Sequence, residues 1–442
     1  MGGWSRGEVF LSMVFQFCAF LTARPYDGAS KGELGMIMAG TLEAWSVGWR
    51  HRPLVAVISL VGIVLLAALV GVMLGVIDPD SDMFAGRNHV NVWLGSSLLL
   101  SGNAMELFRG AEVYSSHVLS IFGVEAGWQY WSYLPHALLV FAPFSLMPYL
   151  PSALVFLMVT LALYGHAVSL QERDFPLFPA LLLLPFLLAN ILAADSGYLT
   201  AALMLYGLGL RDRHPVLAGI AVGALTIKPQ LGLLLPVLLI FEGNWRTFLA
   251  AVVTALVMVA LSLALVGVNG WMGYAAFNAP YQIYLMNNLG GFFPNLVPSV
   301  FGSMRSLGFP AEAARLFHLP VALVAIAAFI WSLMRLQSPL ARSRSLLYAT
   351  FLISPYTQSH DLGALAALAA LAARPEPALP RSLAMLRITL SVLVALVPLF
   401  TLLLGLKGLP LAPLVLVLAY GVTLATDRML EASAAPSRVQ MA

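Results

Sequence analysis

Long apolar runs rich in Leu, Ala and Val, without the polar–apolar alternation of β-strands, dominate this sequence. The clearest cover residues 54–77, 248–266, 320–334, 388–404 and 411–425. A hydrocarbon core of about 30 Å needs about 20 apolar residues in a helix, and only helices and closed barrels satisfy every backbone polar group in lipid. Pairs of shorter apolar stretches fill most of the remaining chain. The pattern predicts an all-α, polytopic transmembrane helical bundle.

Basic residues give the orientation of this bundle, because Lys and Arg concentrate in short cytoplasmic loops. They cluster around Arg50 and Arg52, Arg173, Arg211 and Arg213, Arg246, residues 335–344, residues 374–387, and Arg428. Placing these clusters and both termini in the cytoplasm predicts about 12 crossings. The spacing also predicts three pairs of helices with polar outer turns at Asp195, at Lys228 and at residues 354–361. The stretch around Asp195 is long enough for two crossings, whereas the other two pairs are short. Short helices that meet at such a turn are tolerated where they line a cavity enclosed by protein.

The chain divides into four predicted segments. They are a cytoplasmic N-terminal segment 1–53, whose true start could be Met36 or Met38, a membrane module 54–373, C-terminal transmembrane helices 374–428 and a cytoplasmic tail 429–442. The module includes a long first outer loop, residues 78–133. Tyr114, Val118, Ile121 and Phe122 fall on one helical face and predict a helix lying on the membrane surface. Residues 91–100 predict a similar interfacial helix.

Composition narrows the class of protein further. Hydrophobic residues make up 60% of the chain and charged residues 10%, which excludes an ordinary soluble protein. The net charge of +3 is too small to indicate nucleic acid as a partner. The single cysteine, Cys18, excludes an internal disulfide framework and a metal site built from several cysteines.

Charges at the outer turns are the strongest chemical signal. A Lys or Asp at mid-bilayer costs about 2.5–3.5 kcal/mol and persists with a partner or with water. Asp195, Lys228 and Asp361 all fall on the outer side, which predicts one extracytoplasmic pocket with carboxylates for proton abstraction and cations for a phosphate group.

Each of these residues also has a purely structural interpretation. Lys228 could extend from a helix end to the interface, and Asp195 could cap the helix that starts near Gly197. His360 could pair with Asp361 as an acid and base, or be a neutral histidine at a helix start. The acidic residues of segment 78–82 could hold a cation or form a solvated turn. The aromatic residues of segment 271–293 suit an interfacial belt as well as a sugar-stacking surface.

Six short motifs follow one another in a characteristic order. They are Gly86-Arg87-Asn88-His89-Val90-Asn91-Val92-Trp93, Trp131-Ser132-Tyr133-Leu134-Pro135-His136, Ser196-Gly197-Tyr198-Leu199-Thr200-Ala201-Ala202, Leu225-Thr226-Ile227-Lys228-Pro229-Gln230-Leu231-Gly232, Pro298-Ser299-Val300-Phe301, and Ser354-Pro355-Tyr356 with Asp361. The chain thereby resembles glycosyltransferase family 87, membrane enzymes of the GT-C fold related to polyprenol-phosphate-mannose-dependent mannosyltransferases. The likeness covers residues 82–365, and its most specific piece is L-T-x-K-P-Q-L-G.

The resemblance implies transfer of a sugar from a polyprenyl-phosphate donor to a lipid or glycan acceptor on the outer face of a bacterial inner membrane. It implies no nucleic-acid partner, no cofactor and no metal. An aspartate in the first outer loop would serve as general base.

The chain departs from the family pattern at three places. The family's G-R-D has Asn88 as its third residue here, and an amide cannot accept a proton at neutral pH. The family's G-Q-N-G is Ala194-Asp195-Ser196-Gly197, with a carboxylate in place of an amide. The family's Y-P-P-H carries Leu134. Three explanations are open: another carboxylate has taken over, a histidine such as His89 or His360 is the base, or catalysis is lost.

Candidate site residues follow from the motifs and the outer turns together. The catalytic candidates are Asp82, Asp361, His360 and Asn88, and the substrate-binding candidates are Arg87, His89, Asn91, Tyr133, His136, Asp195, Lys228, Gln230 and Tyr356. Asp82 and Asp361 are preferred as the base over Asp195, and Lys228 and Arg87 are expected to contact the donor phosphate. The alternatives are a transporter or flippase of lipid-linked glycans, and a non-catalytic relative that binds such glycans.

Overall fold

The computed structural model describes residues 52–74, 88–123, 129–172, 174–288, 290 and 293–434. Every regular element within these ranges is helical, which confirms the predicted all-α class. Helices α1 to α16 are, in chain order, Arg52–Met73, His89–Leu100, Ala111–Phe122, Tyr149–Ser169, Leu184–Ala193, Gly197–Leu210, Pro215–Ala224, Leu235–Phe241, Trp245–Gly273, Ala279–Asn288, Val300–Ser306, Ala311–Arg335, Pro339–Ile353, Gly363–Ala372, Arg381–Gly405 and Ala412–Ala434. Shorter helical turns connect them at Ala104–Phe108, Pro135–Ala137, Leu138–Phe141, Ala142–Leu146, Leu177–Leu181, Leu225–Ile227, Pro229–Gly232, Tyr274–Asn278, Phe293–Leu296 and Ser359–Asp361.

Several predictions concern residues outside these described ranges. The first 51 residues, with their alternative start sites, and the acidic segment 78–82 lie outside the described residues. The same holds for the end of the predicted tail, residues 435–442.

Six long helices have the length and composition to cross a membrane. They are α1, α4, α9 with its continuation through α10, α12, α15 and α16. The shortest has 21 residues, enough for a hydrocarbon core that needs about 20. Apolar side chains stay exposed on their outer faces, among them Leu60 at 61%, Leu256 at 63% and Val324 at 68%. The described residues therefore form a polytopic helical membrane protein, and the total of about 12 crossings stays a prediction.

Short apolar helices form the interior of the bundle. α6, α13 and α14 have 14, 15 and 10 residues, so at 1.5 Å per residue they are about 15–22 Å long. They and their neighbours meet in pairs, α5 with α6, α7 with α8, and α13 with α14. The turns between the partners carry Asp195, Lys228 and residues 354–361, at the places where the sequence predicts polar breaks.

Small residues let these helices approach closely. α7 lies against α9 through Gly219 and Gly223, and a methyl group on Gly223 would come within 2.5 Å of Thr254 Cβ. All ten residues of α14 are buried, and any side chain on Gly363 would overlap the ring of Phe186. Glycine and alanine are common at helix contacts in membranes for this reason. Close packing of the short helices fixes the positions of the turns that join them.

The segment predicted to form the first outer loop is more buried than its sequence indicates. α2 covers the stretch expected to lie at the interface, and eight of its twelve residues are buried against protein, while its interfacial position stays a prediction. Gly95 packs against the Trp131 ring, and Trp93 Nε1 donates to the Met147 carbonyl at 2.9 Å. α3 has the predicted helical form, with Tyr114 and Val118 buried and Ile121 50% exposed. α2 lacks a polar face because it packs against protein around its circumference.

Candidate active site

The three polar turns converge on one lysine. Lys228 lies between the turn Leu225–Ile227 and Pro229, at the break between α7 and α8. Its Nζ is 2.8 Å from Asp361 Oδ1 and 3.4 Å from Asp195 Oδ1. The ammonium group is therefore held between two carboxylates from two other turns, and it does not extend to an interface. Asp195, Lys228, His360 and Asp361 are called the lysine cluster below.

Asp195 is the most heavily contacted member of this cluster. It follows Ala194, whose φ of 48° lies in the left-handed region that a non-glycine residue rarely adopts. Its Oδ1 accepts from Tyr133 Oη at 2.8 Å, from Ser196 Oγ at 2.8 Å and from the Ser196 backbone N–H. Its Oδ2 accepts from Asn88 Nδ2 at 2.8 Å. The capping interpretation is wrong, because Ser196 is the N-cap of α6 and the carboxylate binds groups outside the helix.

His360 contacts Asp195 and not Asp361, its neighbour in sequence. His360 Nε2 lies 2.8 Å from Asp195 Oδ2, so of the two interpretations of His360 the pairing with Asp361 is wrong. Gly197 makes this approach possible, since a Cβ atom there would overlap the carbonyl oxygen of His360 and the amide of Asn190. The turn after α5 and the turn before α14 are thus in direct contact.

Asp361 has fewer contacts than Asp195. Its Oδ1 accepts from Lys228, and its Oδ2 accepts from the Gln358 backbone N–H at 3.2 Å. That second bond belongs to a capping box over Ser359–Asp361, with Gln358 as the N-cap. Each oxygen of an ionised carboxylate accepts about two hydrogen bonds, so each oxygen of Asp361 keeps capacity for another donor.

The charges of the cluster stabilise one another. Burial opposes ionisation of Asp195, but Lys228 and His360 hold the pKa of its carboxyl well below the usual range. Burial likewise opposes protonation of Lys228, but Asp195 and Asp361 keep its pKa above the usual value. Asp195 is therefore a stable anion and Lys228 a stable cation at neutral pH.

A cavity of about 710 Å³ opens above the cluster. This volume suits a sugar with part of a larger substrate. Eight of the predicted site residues line it: Asn88, Asn91, Tyr133, Asp195, Lys228, Gln230, Tyr356 and Asp361. The three polar turns expected to share one pocket do so in the structure.

Sequence reasoning missed part of the cavity wall. Tyr130, Gln282 and Gln358 also line the cavity, and Gln282 Nε2 donates to the Ser132 carbonyl at 2.6 Å. Tyr274 and Phe293 are lining residues as well, so two members of the aromatic segment 271–293 face the cavity. Phe277 and Tyr284, in contrast, are more than half exposed. The position of Tyr130 beside the Trp131–His136 motif is the signal that could have identified it.

Three predicted histidines are buried and do not line this cavity. His360 contacts Asp195, which itself lines the cavity. His89 lies between Tyr149 and Phe156, with Nε2 2.9 Å from Ser152 Oγ. His136 stacks on Trp271 and bonds Thr226 at 3.1 Å. Two further candidates, Asp82 and Arg87, lie outside the described residues.

No group of three or more His, Cys, Asp or Glu side chains arranged to hold a metal ion occurs among the described residues. The chemistry available at the cavity wall is that of two carboxylates, one ammonium group, amides and phenols.

Comparison with known families decides the class. The sequence profile of glycosyltransferase family 87 matches residues 131–355, about half of the chain. The chain belongs to glycosyltransferase family 87. As a member it is a membrane glycosyltransferase, and the matched segment contains Tyr133, Asp195, Lys228 and the L-T-x-K-P-Q-L-G motif. The match starts after Asn88 and ends before Asp361, so it is narrower than the predicted likeness over residues 82–365. Searches of curated proteins and of solved structures returned no match.

Proposed function

We propose that this family 87 glycosyltransferase moves a sugar from a polyprenyl-phosphate donor to a hydroxyl group of a lipid or glycan acceptor. The reaction takes place on the extracytoplasmic face of a bacterial inner membrane, with both termini in the cytoplasm. The observation that carries the proposal is the lysine cluster, in which a protonated amine and a carboxylate with spare acceptor capacity lie side by side at a cavity wall.

Lys228 binds the phosphate of the donor. An ammonium group has three donors, and the contacts to Asp361 and Asp195 occupy two of them. The third is available to a phosphate oxygen in the cavity. Charge-assisted contacts of this kind also stabilise the negative charge that builds up on a leaving phosphate.

Asp361 accepts the proton of the acceptor hydroxyl. The acceptor oxygen bonds to the anomeric carbon, the bond from that carbon to the phosphate oxygen breaks with its electron pair, and the hydroxyl proton moves to the carboxylate. Asp361 suits this role better than Asp195, because Asp195 already receives donors from Tyr133, Ser196, Asn88 and Lys228. A positioned base contributes about 10²–10⁴-fold to such a step.

Amide and aromatic side chains of the cavity bind the sugar. Asn88, Asn91 and Gln230 offer both donors and acceptors to sugar hydroxyls, and Tyr356 offers a phenol. Tyr356 and Phe293, with ring centroids 5.7 Å apart, form an apolar surface for a sugar ring.

A transporter or flippase of lipid-linked glycans is the second candidate, favoured by the short paired helices with polar turns. The distribution of charge supports an enzyme instead. The lysine cluster lies at one end of the short helices, whereas a buried ion pair between Arg211 and Glu242 joins their opposite ends. That pair ties the ends of α6 and α8 together on the side away from the cavity.

Transfer of radiolabelled sugar in proteoliposomes tests the proposal. Wild-type protein is given a panel of polyprenyl-phosphate sugars and a membrane lipid extract, beside Lys228→Met, Asp361→Asn and the exposed control Arg315→Met. We expect wild type and the control to form labelled product, and both cluster variants to lose at least 100-fold. Wild-type protein that moves lipid-linked glycan across the bilayer without forming product would establish the transporter instead. Binding of labelled donor without either activity would establish a non-catalytic relative.

A further inference from the structure

A buried histidine outside the cavity bonds the turn that carries Lys228. His136 is 2% exposed, and its Nε2 is 3.1 Å from Oγ1 of Thr226. Thr226 is the middle residue of the turn Leu225–Ile227, and Lys228 follows that turn directly. The backbone N–H of Lys228 donates to the first carbonyl of the turn at 2.9 Å. A shift of Thr226 would therefore move the start of the lysine side chain.

The direction of the bond between His136 and Thr226 follows from a third group. Thr226 Oγ1 is 2.6 Å from the Gly223 carbonyl oxygen, and two oxygens approach so closely when a hydrogen atom lies between them. The hydroxyl therefore donates to Gly223 and accepts from His136, so Nε2 carries the ring proton. Nδ1 of His136 is buried and has no hydrogen-bond partner among the described residues. The Nε2–H is thus the group through which His136 acts.

One face of the His136 ring is held by α9. The indole of Trp271 stacks on the imidazole, with ring centroids 5.9 Å apart and planes at 17°. Trp271 Nε1 donates to Ser262 Oγ at 3.1 Å, across the break of α9 at Gly267, whose φ is 65°. The stacking contact limits rotation of the imidazole away from Thr226.

The segment that carries His136 also reaches the lysine side chain. Tyr133, three residues before His136, has its ring centroid 5.9 Å from Lys228 Nζ, within the range of cation–π contacts. Its hydroxyl donates to Asp195 Oδ1 at 2.8 Å. Segment 133–136 therefore contacts Lys228 at both ends, the ammonium group through Tyr133 and the supporting turn through His136.

We infer that His136 is a positioning residue for the donor site, which acts through Thr226 to hold Lys228 between the two acids of the lysine cluster. The role requires an N–H donor at the position of Nε2, and it does not require a charge on the imidazole. The part of the inference that concerns activity rests on the proposed function, in which Lys228 binds the donor phosphate.

Two amide replacements test this role in the sugar-transfer assay. The side-chain nitrogen of glutamine can take the place of Nε2, whereas that of asparagine takes the place of Nδ1 and does not reach Thr226. His136→Asn should raise the KM for the donor about 10-fold, because the bond that supports Lys228 is lost. The KM for the acceptor should stay within about twofold, and His136→Gln should keep the donor KM within about threefold of wild type.

The partner of the bond should give the same result. Thr226→Val should raise the donor KM as much as His136→Asn does, and Thr226→Ser should not, because it keeps the hydroxyl. Both losses remove one shared hydrogen bond, so the double variant His136→Asn/Thr226→Val should have the donor KM of either single variant.

The matched control is His166, a half-buried histidine whose Nδ1 is 2.9 Å from Tyr206 Oη, near the Arg211 end of α6. His166→Asn and His166→Gln should leave the donor KM unchanged. The inference is overturned if His136→Asn binds donor as wild type does, or if His136→Gln is as impaired as His136→Asn. Additive losses in the double variant, or an equal rise of both KM values, would also overturn it.

A second readout separates failure of this inference from failure of the proposed function. Lys228 is one of three lysines, with Lys31 and Lys407, so its acetylation by an acetyl ester at pH 9 can be followed by mass spectrometry. Even if wild type transfers no sugar, His136→Asn and Thr226→Val should raise the acetylation rate of Lys228 about fivefold, because the displaced amine loses its acids. His136→Gln should keep the wild-type rate. Equal rates in all variants would reject the inference itself.

Discussion

Two buried clusters of charge lie at opposite ends of the same short helices. α6 begins after Asp195 and ends before Arg211, so the two ends are about 21 Å apart for its length at 1.5 Å per residue. At the Asp195 end lies the lysine cluster. At the other end lies what we call the arginine cluster, which comprises Arg211, Glu242, Arg342, Arg344, Arg387 and Asp427.

The arginine cluster uses paired, planar contacts. Arg344 binds Asp427 with two nitrogens at 2.9 Å each, and Arg211 binds Glu242 at 2.7 and 3.2 Å. Arg387 adds a contact to Asp427 at 3.2 Å. Both oxygens of each carboxylate therefore have arginine partners, and the arrangement joins α6, α13, α15 and α16.

The difference teaches how buried charge serves structure or chemistry. A guanidinium forms a rigid fork that matches a carboxylate, whereas an ammonium group is a compact charge with three rotatable donors. The arginine cluster leaves little capacity for a further partner. Lys228 and Asp361 each retain a free donor or acceptor, and they face a cavity.

The largest expected effect separates the clusters by activity. Asp361→Asn should lower sugar transfer by about 10²–10⁴-fold, because the amide cannot take the acceptor proton. The matched control is Glu312→Gln, an acid that is 81% exposed. Initial rates at saturating donor check this, and an Asp361→Asn variant as fast as the control would remove Asp361 from the mechanism.

The next effect distinguishes the arginine cluster from the lysine cluster by its contribution to stability. Asp427→Asn leaves the buried Arg344 and Arg387 without a charged partner among the groups that contact them, so the free energy of unfolding should fall by about 3–5 kcal/mol. Transfer per folded molecule should not change, since the cavity lies at the other ends of the helices. Equilibrium unfolding in mixed SDS micelles measures the first quantity, and an activity loss without a stability loss would contradict the comparison.

A third effect is pH dependence outside both clusters. Burial lowers the pKa of His89 from 6.5 to about 3, so the folded protein keeps this histidine neutral while the unfolded chain takes up a proton below pH 6.5. Stability is therefore present above pH 6.5 and lost on acidification, by about 2 kcal/mol at pH 5. Replacing His89 by Asn should flatten the unfolding free energy between pH 7 and 5, and an unchanged slope would assign the loss to other groups.

The lysine cluster should behave differently over the same range. The pKa of Asp195 is lowered, so its contribution is lost only as the pH falls through that lowered value, below about 3.8. The pKa of Lys228 is raised, so its contribution is lost only above about 10.5. Asp195 and Lys228 should thus add no pH dependence to the free energy of unfolding of the wild-type protein between pH 5 and 9, where both keep their charge in the folded and the unfolded chain.

The smallest effect concerns the backbone beside Asp195. Ala194 has a φ of 48°, a conformation that costs an alanine about 1 kcal/mol more than a glycine. Ala194→Gly should raise the free energy of unfolding by about 0.5–1 kcal/mol and leave transfer unchanged. A thermal midpoint below that of wild type would show that the turn needs the alanine side chain.

The sequence predicted the class of fold and the family, both of which are confirmed. It also placed the turns at Asp195, Lys228 and residues 354–361, because charged or proline-containing breaks in apolar helices have few alternative positions. It could not predict partners across the bundle. His360 lies beside Asp361 in sequence but contacts Asp195, 165 positions away.

The arginine cluster shows the same limit. The rule for basic residues assigns a side of the membrane to Arg211, Arg344 and Arg387, but it says nothing about burial. All three are less than 10% exposed and paired with acids. The burial of α2 could not be predicted for a related reason, since the residues that cover it, such as Trp131, are distant in the chain.

Gly197 has one more consequence. The turn of Asp195 and the turn of Asp361 pack so closely that residue 197 has room for a hydrogen atom but not for a carbon. A Cβ atom there would overlap the carbonyl oxygen of His360. The separation of the two acids is therefore set by a side chain that is missing. Gln282 and Met286 line the same cavity, and a larger or smaller residue at either position would change the room for substrate without moving the two acids.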